Sequence, residues 1–191
     1  MGRWQPGTRE RLESAALDLF LEQGFTETTV PQITARAGLT TRTFFRHFAD
    51  KREVLFSGEE SVPDRVAHLM AEAPPSLRPM ELIGACLSPA AAQIFEGRSL
   101  DYVRRRRAVI DAEPALHERE LRKFALLAQS LERGFRDRGV DDLTAQVAAE
   151  LAVTTLRVAV TRWLEQHGDS DLPKVIDETL ATIRHLTTTP T

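Results

Sequence analysis

Between Thr28 and Phe56 the sequence TTVPQITARAGLTTRTFFRHFADKREVLF sets two short helical patterns only a few residues apart, around Gly38. Nothing else in the chain constrains the fold as tightly. Helices joined by so short a turn meet at roughly 90–120°, and a pair that crosses steeply must share apolar anchors. Ile33, Ala37, Leu39, Phe44 and Phe48 have the spacing to supply them. Gly38 falls in the turn, where a side chain would crowd the backbone.

The pattern around this block is helical almost throughout. A first helix is predicted over Thr8–Gln23, with Thr8 as N-cap, Gly24 at the far end, and Leu12, Ala15, Ala16, Leu19 and Phe20 on one face. A short helix follows Thr28 and Thr29, tolerates Pro31 in its first turn, and ends at Ala37–Gly38. A third opens at Thr40 and reaches Phe48; Asp50 then caps a fourth, which runs from Lys51 until Pro74 and Pro75 stop it. Further helices are expected at 79–96, 100–112, 114–138, 141–167 and 172–186, with Pro89 kinking or splitting the first of them. The tail TTTPT is expected to fray. No stretch alternates like a strand, and no Asn-Gly or Asp-Gly hairpin signal occurs. The expectation is an all-α chain of about nine helices, divided into an N-terminal helix-turn-helix domain (1–50) and a C-terminal helical domain (51–191).

Composition narrows the function. With 42% hydrophobic and 28% charged residues the chain is an ordinary globular protein. Its one cysteine, Cys86, can form neither an internal disulfide nor a cysteine metal cluster. No run approaches about 18 consecutive apolar residues, so no transmembrane helix and no membrane partner are expected. The first residues lack the apolar stretch of a secretory signal, and Pro6 is not the Ser or Thr a myristoylation signal wants. Together these point to the cytoplasm. No GxSxG, HExxH or phosphate-loop motif occurs, and the five histidines form no i, i+4 pair. Cys86, inside LIGACL, reads as a small buried residue. An enzyme, a metal and a cofactor are therefore not expected.

The net charge of −3 conceals an asymmetry. Between Arg36 and Arg52 five cations (Arg36, Arg42, Arg46, Lys51 and Arg52) stand against Asp50 alone, a net +4, so the remainder carries −7. In the second short helix Phe44 and Phe48 share a face, which turns Thr41, Arg42, Phe45 and Arg46 outward. Guanidinium groups match guanine O6 and N7, and threonine meets an edge atom or a thymine methyl. Helix N-termini at Thr28–Thr29, Thr40–Thr41 and Asp50–Lys51 add N–H groups suited to phosphate, with Lys51 as a point charge.

Residues 8–56 resemble the DNA-binding domain of TetR-family transcriptional regulators. The resemblance rests on the first helix ending in FLEQGFTETTV, on ITARAGLTTRTFFRHF, and on the DK that opens the fourth helix. The family usually has tyrosine at the place of Phe45, so a phenolic hydroxyl is lost. The resemblance implies DNA contacts from Thr28, Thr29, Thr40, Thr41, Arg42, Thr43, Phe45, Arg46, His47 and Lys51. It also implies a homodimer that represses from a palindromic double-stranded operator and is released when a small molecule moves the fourth helix. A helical small-molecule sensor or scaffold without DNA binding is the alternative.

For the remainder the resemblance implies ligand binding and dimerisation. Phe95, Tyr102, Phe124, Leu127 and Leu131 are apolar or aromatic candidates for a pocket, which suits a hydrophobic or amphipathic effector. In RRRR at 104–107 consecutive residues step by about 100°, so Arg107, at i+4 from Val103, is expected to face inward toward an effector's acid group or a neighbouring carboxylate. Arg157, between Val153 and Val160, is a second candidate. The dimer face is expected from Val153, Leu156, Val160 and Trp163 of the penultimate helix and Val175, Ile176, Leu180 and Ile183 of the last; the same stripes could be intramolecular core.

Overall fold

In a computed structural model, residues 7–56, 62–95, 97–166 and 171–188 are described. They form ten helices: α1 Thr8–Gln23, α2 Val30–Ala37, α3 Thr41–His47, α4 Glu53–Phe56, α5 Val62–Glu72, α6 Pro79–Ile94, α7 Leu100–Ala112, α8 Pro114–Asp137, α9 Asp142–Glu165 and α10 Leu172–Thr188. No strand occurs among the described residues, and the fold is all-α as expected. The tenth helix arises where one was expected over 51–72. That segment contains α4 and α5, and residues 57–61 between them lie outside the described residues, as do His167 and the last three residues of the tail.

The chain packs as two compact units. The first comprises residues 1–60 and 99–120, the second 61–98 and 121–191.

In the first unit α1 lays Leu12, Ala15, Ala16, Leu19 and Phe20 into a core with Ile33, Phe44, Phe48, Val54, Leu55 and Phe56. Val109, Ile110 and Leu116 complete that core, so α7 and the start of α8 belong with α1–α4. The N-cap of α1 is Gly7, with Thr8 the first helical residue. Gly38 adopts the left-handed conformation (φ 64°, ψ 38°), and a Cβ there would lie 3.3 Å from Arg11 Nη2. Backbone and contact together explain why glycine holds the turn.

In the second unit α10 packs on α6 and α9, and α5 packs on α6. Its core includes Leu82, Ile83, Leu87, Leu131, Phe135 and the small residues Ala145, Ala148, Ala149, Ala152 and Ala159 of α9. Helix α6 runs unbroken from Pro79 to Ile94 with Pro89 inside it, so the proline does not split it. Buried Cys86, Leu87, Ala90 and Ala91 hold the helix to the core on both sides of the lost backbone bond. Burial also pushes the Cys86 thiol up to about 11, the behaviour of a packed rather than a reactive cysteine. Among the described residues α9 alone is long and apolar enough to cross a membrane by length and composition. It serves here as a core helix, burying its alanine face.

Candidate nucleic-acid interface

The interface is built by local chemistry. Thr29 caps α2 through a capping box: its side chain accepts from the Gln32 N–H at 3.4 Å, and Gln32 Oε1 accepts from the Thr29 N–H at 2.8 Å. Ile33 and Ala37 bury the inner face of α2. Gly38 turns the chain, and Thr40 caps α3 by accepting from the Thr43 N–H at 3.2 Å. Phe44 is fully buried and Phe48 nearly so, which fixes the roll of α3. Thr41, Arg42, Phe45 and Arg46 are consequently exposed, as the spacing predicted, while Thr43 is half-buried. Phe45 is 59% exposed and stands edge-on to Phe44 at a centroid distance of 5.5 Å.

The charges sort differently from their count. Arg36 forms a two-bond ion pair with Glu22 (2.9 and 2.7 Å), which raises the guanidinium and lowers the carboxyl from their usual values. Arg52 pairs with Asp50 at 2.8 Å. Lys51 is the largest departure from expectation. Its ammonium donates to the carbonyls of Phe25 (2.7 Å), Thr26 (3.0 Å) and Thr28 (2.8 Å), and lies 4.5 Å from the centroid of the Phe25 ring. Burial draws it below its usual value, against the attraction of Glu113 and Glu27. All three donors of the ammonium are thus committed inside the unit, and Lys51 staples the Phe25–Thr28 loop instead of standing free as a phosphate contact. Of the five cations, Arg42 and Arg46 alone face solvent without such a partner among the described residues.

Two further expected contacts are partly or wholly withdrawn from the surface. Thr28 is buried; its hydroxyl donates to the Gly24 carbonyl at 2.8 Å and accepts from Gln23 Nε2. His47 is half-buried, and its Nε2 is buried without a hydrogen-bond partner. The helix ends expected to receive phosphate are also partly occupied. Gln32, Thr43 and Glu53 give their N–H groups to Thr29, Thr40 and Asp50.

Three arginines of the α7 run are half-buried and partnered within the same unit. Arg105 pairs with Asp18 of α1. Arg106 donates to the Leu55 carbonyl and lies over the Phe56 ring. Arg107 bridges Asp111 (2.7 Å) and the buried Glu120 (2.9 Å), and these carboxylates raise its guanidinium against the opposing pull of burial. Arg119 pairs with Glu53. Arg107 is therefore partnered by a carboxylate of its own helix and one of α8.

The residues expected to line a pocket are distributed over both units. Tyr102 packs on the core of the first unit and Arg107 belongs to that unit, whereas Phe95, Phe124 and Leu127 belong to the core of the second. Phe95 packs against Trp163 at 5.4 Å. Arg157 is exposed, its guanidinium 5.6 Å from the Phe124 ring centroid. The expected dimer face is core as well: Val153, Leu156, Val175, Ile176 and Leu180 are buried in the second unit, with Val160 and Trp163 packed against them and Ile183 half-buried. The apolar residues that α9 exposes are Leu143 (70%), Val147 (50%) and Val158 (42%). Leu143 and Val147 are i, i+4 and Val158 follows three turns later on the same face, but α9 is apolar on two faces, and the more continuous stripe proved to be the inner one.

A capped two-helix unit with a left-handed glycine turn and an exposed Thr/Arg face on its second helix is a helix-turn-helix. The family profile described as "Bacterial regulatory proteins, tetR family" matches residues 13–57. The regulator TcmR of Streptomyces glaucescens is 32% identical over 90 residues, 47% of this chain and 40% of that protein. The repressor BepR of Brucella suis biovar 1 (strain 1330) is 25% identical over 183 residues, 88% of this chain and 85% of that one. A solved SmeT–triclosan complex shares the fold at a TM-score of 0.61 and 22% identity, covering 92% of this chain and 90% of that one. Residues 13–57 therefore match the tetR-family model, and over most of its length the chain is similar to transcriptional regulators. The proteins it resembles are regulators, not enzymes.

Proposed function

We propose that the chain is a homodimeric repressor. It places α3 in the major groove of a palindromic operator and leaves the DNA when a small hydrophobic or amphipathic effector binds. One observation carries this reading: the roll of α3, fixed by Phe44 and Phe48, presents Thr41, Arg42, Phe45 and Arg46 to solvent on one capped helix. Arg42 and Arg46 read guanine edges or phosphates, Thr40, Thr41 and Thr43 reach bases and backbone, and Thr29 meets phosphate at the start of α2. The His47 Nδ1 edge is left for phosphate, because Nε2 is buried. Thr28 and Lys51 support the interface from inside.

Residues 1–50 act as the reader, and 51–191 receive the effector and the second copy. The apolar set Phe95, Phe124 and Leu127 suits such an effector, and SmeT is named in complex with triclosan, a small molecule. The outer stripe Leu143, Val147 and Val158 of α9 suits the second copy better than the buried inner one. A protein that reads duplex DNA in this way works in the cytoplasm of a bacterial cell.

Selection from a random duplex pool tests the reading. The chain should enrich an inverted repeat whose half-sites lie about 34–36 Å, or a multiple of that, apart. Its affinity should fall steeply with salt, with a slope of about −0.9 per phosphate neutralised. Failure to enrich any repeat would leave the sensor without DNA binding as the surviving reading.

A further inference from the structure

In the second unit, Arg65 of α5 buries Nε and Nη2 with no hydrogen-bond partner. These two nitrogens form one edge of the guanidinium, the edge that presents two parallel N–H donors to the two oxygens of a carboxylate. Leaving a buried charged donor unanswered is costly, so such a group calls for a missing partner. Among the described residues no buried carboxylate of the second unit answers it. Of the described α5 residues one turn to either side, Val62 and Leu69 lie in the apolar core or packed against it, while His68 is exposed and pairs with Glu72. Among the described residues the buried carboxylates are Glu13 and Glu120, and both belong to the first unit. The contrast with other arginines is sharp. Arg138, in the same unit, has its guanidinium tied to the carbonyls of Met70, Ala73 and Pro74. Arg36, Arg52, Arg105 and Arg107 each hold a carboxylate. The same unit also withdraws Lys123 from water, and burial pushes its ammonium down to about 8.

We propose that Arg65 is the anion-binding group of the effector site, and that the effector carries a head group with two acceptor oxygens, a carboxylate or a phosphate monoester, on an apolar tail. The inference rests on the reading of the second unit as the effector-binding part. The tail belongs with the apolar core residues of α5 and α8, Leu69, Met70, Phe124 and Leu127. Met70 is suited to yield to it, since an unbranched thioether repacks readily.

Calorimetric titration of the full chain with dodecanoate, dodecyl phosphate and dodecanol tests this directly, because the three share a tail and differ in the head group. The wild type should bind at least one of the anions more tightly than the alcohol, and the tighter anion identifies the head group. Arg65→Met should weaken that anion by about ten- to a hundredfold, the worth of charge-assisted hydrogen bonds, and leave dodecanol unchanged. Without ligand, Arg65→Met should melt no lower than the wild type, because it removes a group with no partner. If Arg65→Met fails to fold, Arg65→Lys decides, since it keeps the charge, loses the two-donor edge and should lose most of the anion preference. Anion binding that is absent, or equal in wild type and variants, overturns the proposal. Anion binding that depends on Arg65 but leaves operator affinity unchanged keeps the anion site and overturns the effector-released repressor.

Discussion

Two arginine-bearing helices of the first unit, α3 and α7, show what a sequence charge count leaves out. Helix α7 carries the denser run, RRRR at 104–107, yet Arg105 and Arg107 hold carboxylates and Arg106 holds a backbone carbonyl and an aromatic face. Helix α3 carries only Arg42 and Arg46, and both face solvent. A cation already bound to a carboxylate presents little field to a phosphate, so the shorter set is the one able to dock. The α7 arginines instead fasten it to α1 and α4, which carry Asp18 and Glu53–Phe56.

The largest test of this contrast is to strip α3. The Arg42→Ala, Arg46→Ala double variant should lose about a hundredfold or more in operator affinity, at about 1–3 kcal/mol per contact. Its melting temperature should hardly move, because neither side chain packs. Retained affinity in an anisotropy titration would transfer the docking role to another surface.

Removing an α7 arginine should do the reverse. Arg107→Met leaves Glu120, whose side chain is only 9% exposed, without its cation. The expected cost is about 1–3 kcal/mol of stability, read by urea denaturation, with operator affinity per folded molecule unchanged. A stable variant with weakened DNA binding would contradict the assignment of Arg107 as an internal clamp.

Lys51 tests the boundary between the two roles, and its expected effect is smaller. Lys51→Met should cost about 1–2 kcal/mol through three lost carbonyl bonds. If the ammonium serves only the loop, the salt slope of DNA binding stays as it is. If it also neutralises a phosphate, the slope falls by about 1.

What the sequence disclosed follows the range of the interactions. The block around α2 and α3 was legible because its determinants are local. Caps at Thr29 and Thr40, the left-handed Gly38 and the Phe44/Phe48 pair all act within one or two turns. The partners of Lys51 lie 23–26 residues away, on a loop whose carbonyls no residue pattern announces. Arg36 finds Glu22 of α1, so one cation counted in the expected +4 patch is neutralised by an acid from outside it. In α9 two apolar stripes share one helix, and periodicity alone cannot say which meets the core. Arg65 was equally silent, because an arginine on an amphipathic helix ordinarily reads as a solvated charge.

The smallest effect concerns Asp50, the one acid inside the basic segment 36–52. Burial would by itself raise its carboxyl, but the Arg52 guanidinium and the N–H groups of Glu53 and Arg52 outweigh that and hold it below the usual value. A carboxyl lowered by folding contributes stability that is fully present above its unfolded value, near 3.9, and lost as pH falls through the folded one. The start of α4 should therefore loosen below about pH 4. Asp50→Asn keeps an acceptor for the two N–H groups and loses the charge. Its deficit against the wild type should be largest near neutrality and shrink in acid, as followed by melting temperature across the pH range. A deficit of the same size at neutral and acid pH would mean that the carboxyl acts as a neutral cap and that Arg52 is as available to DNA as Arg42 and Arg46.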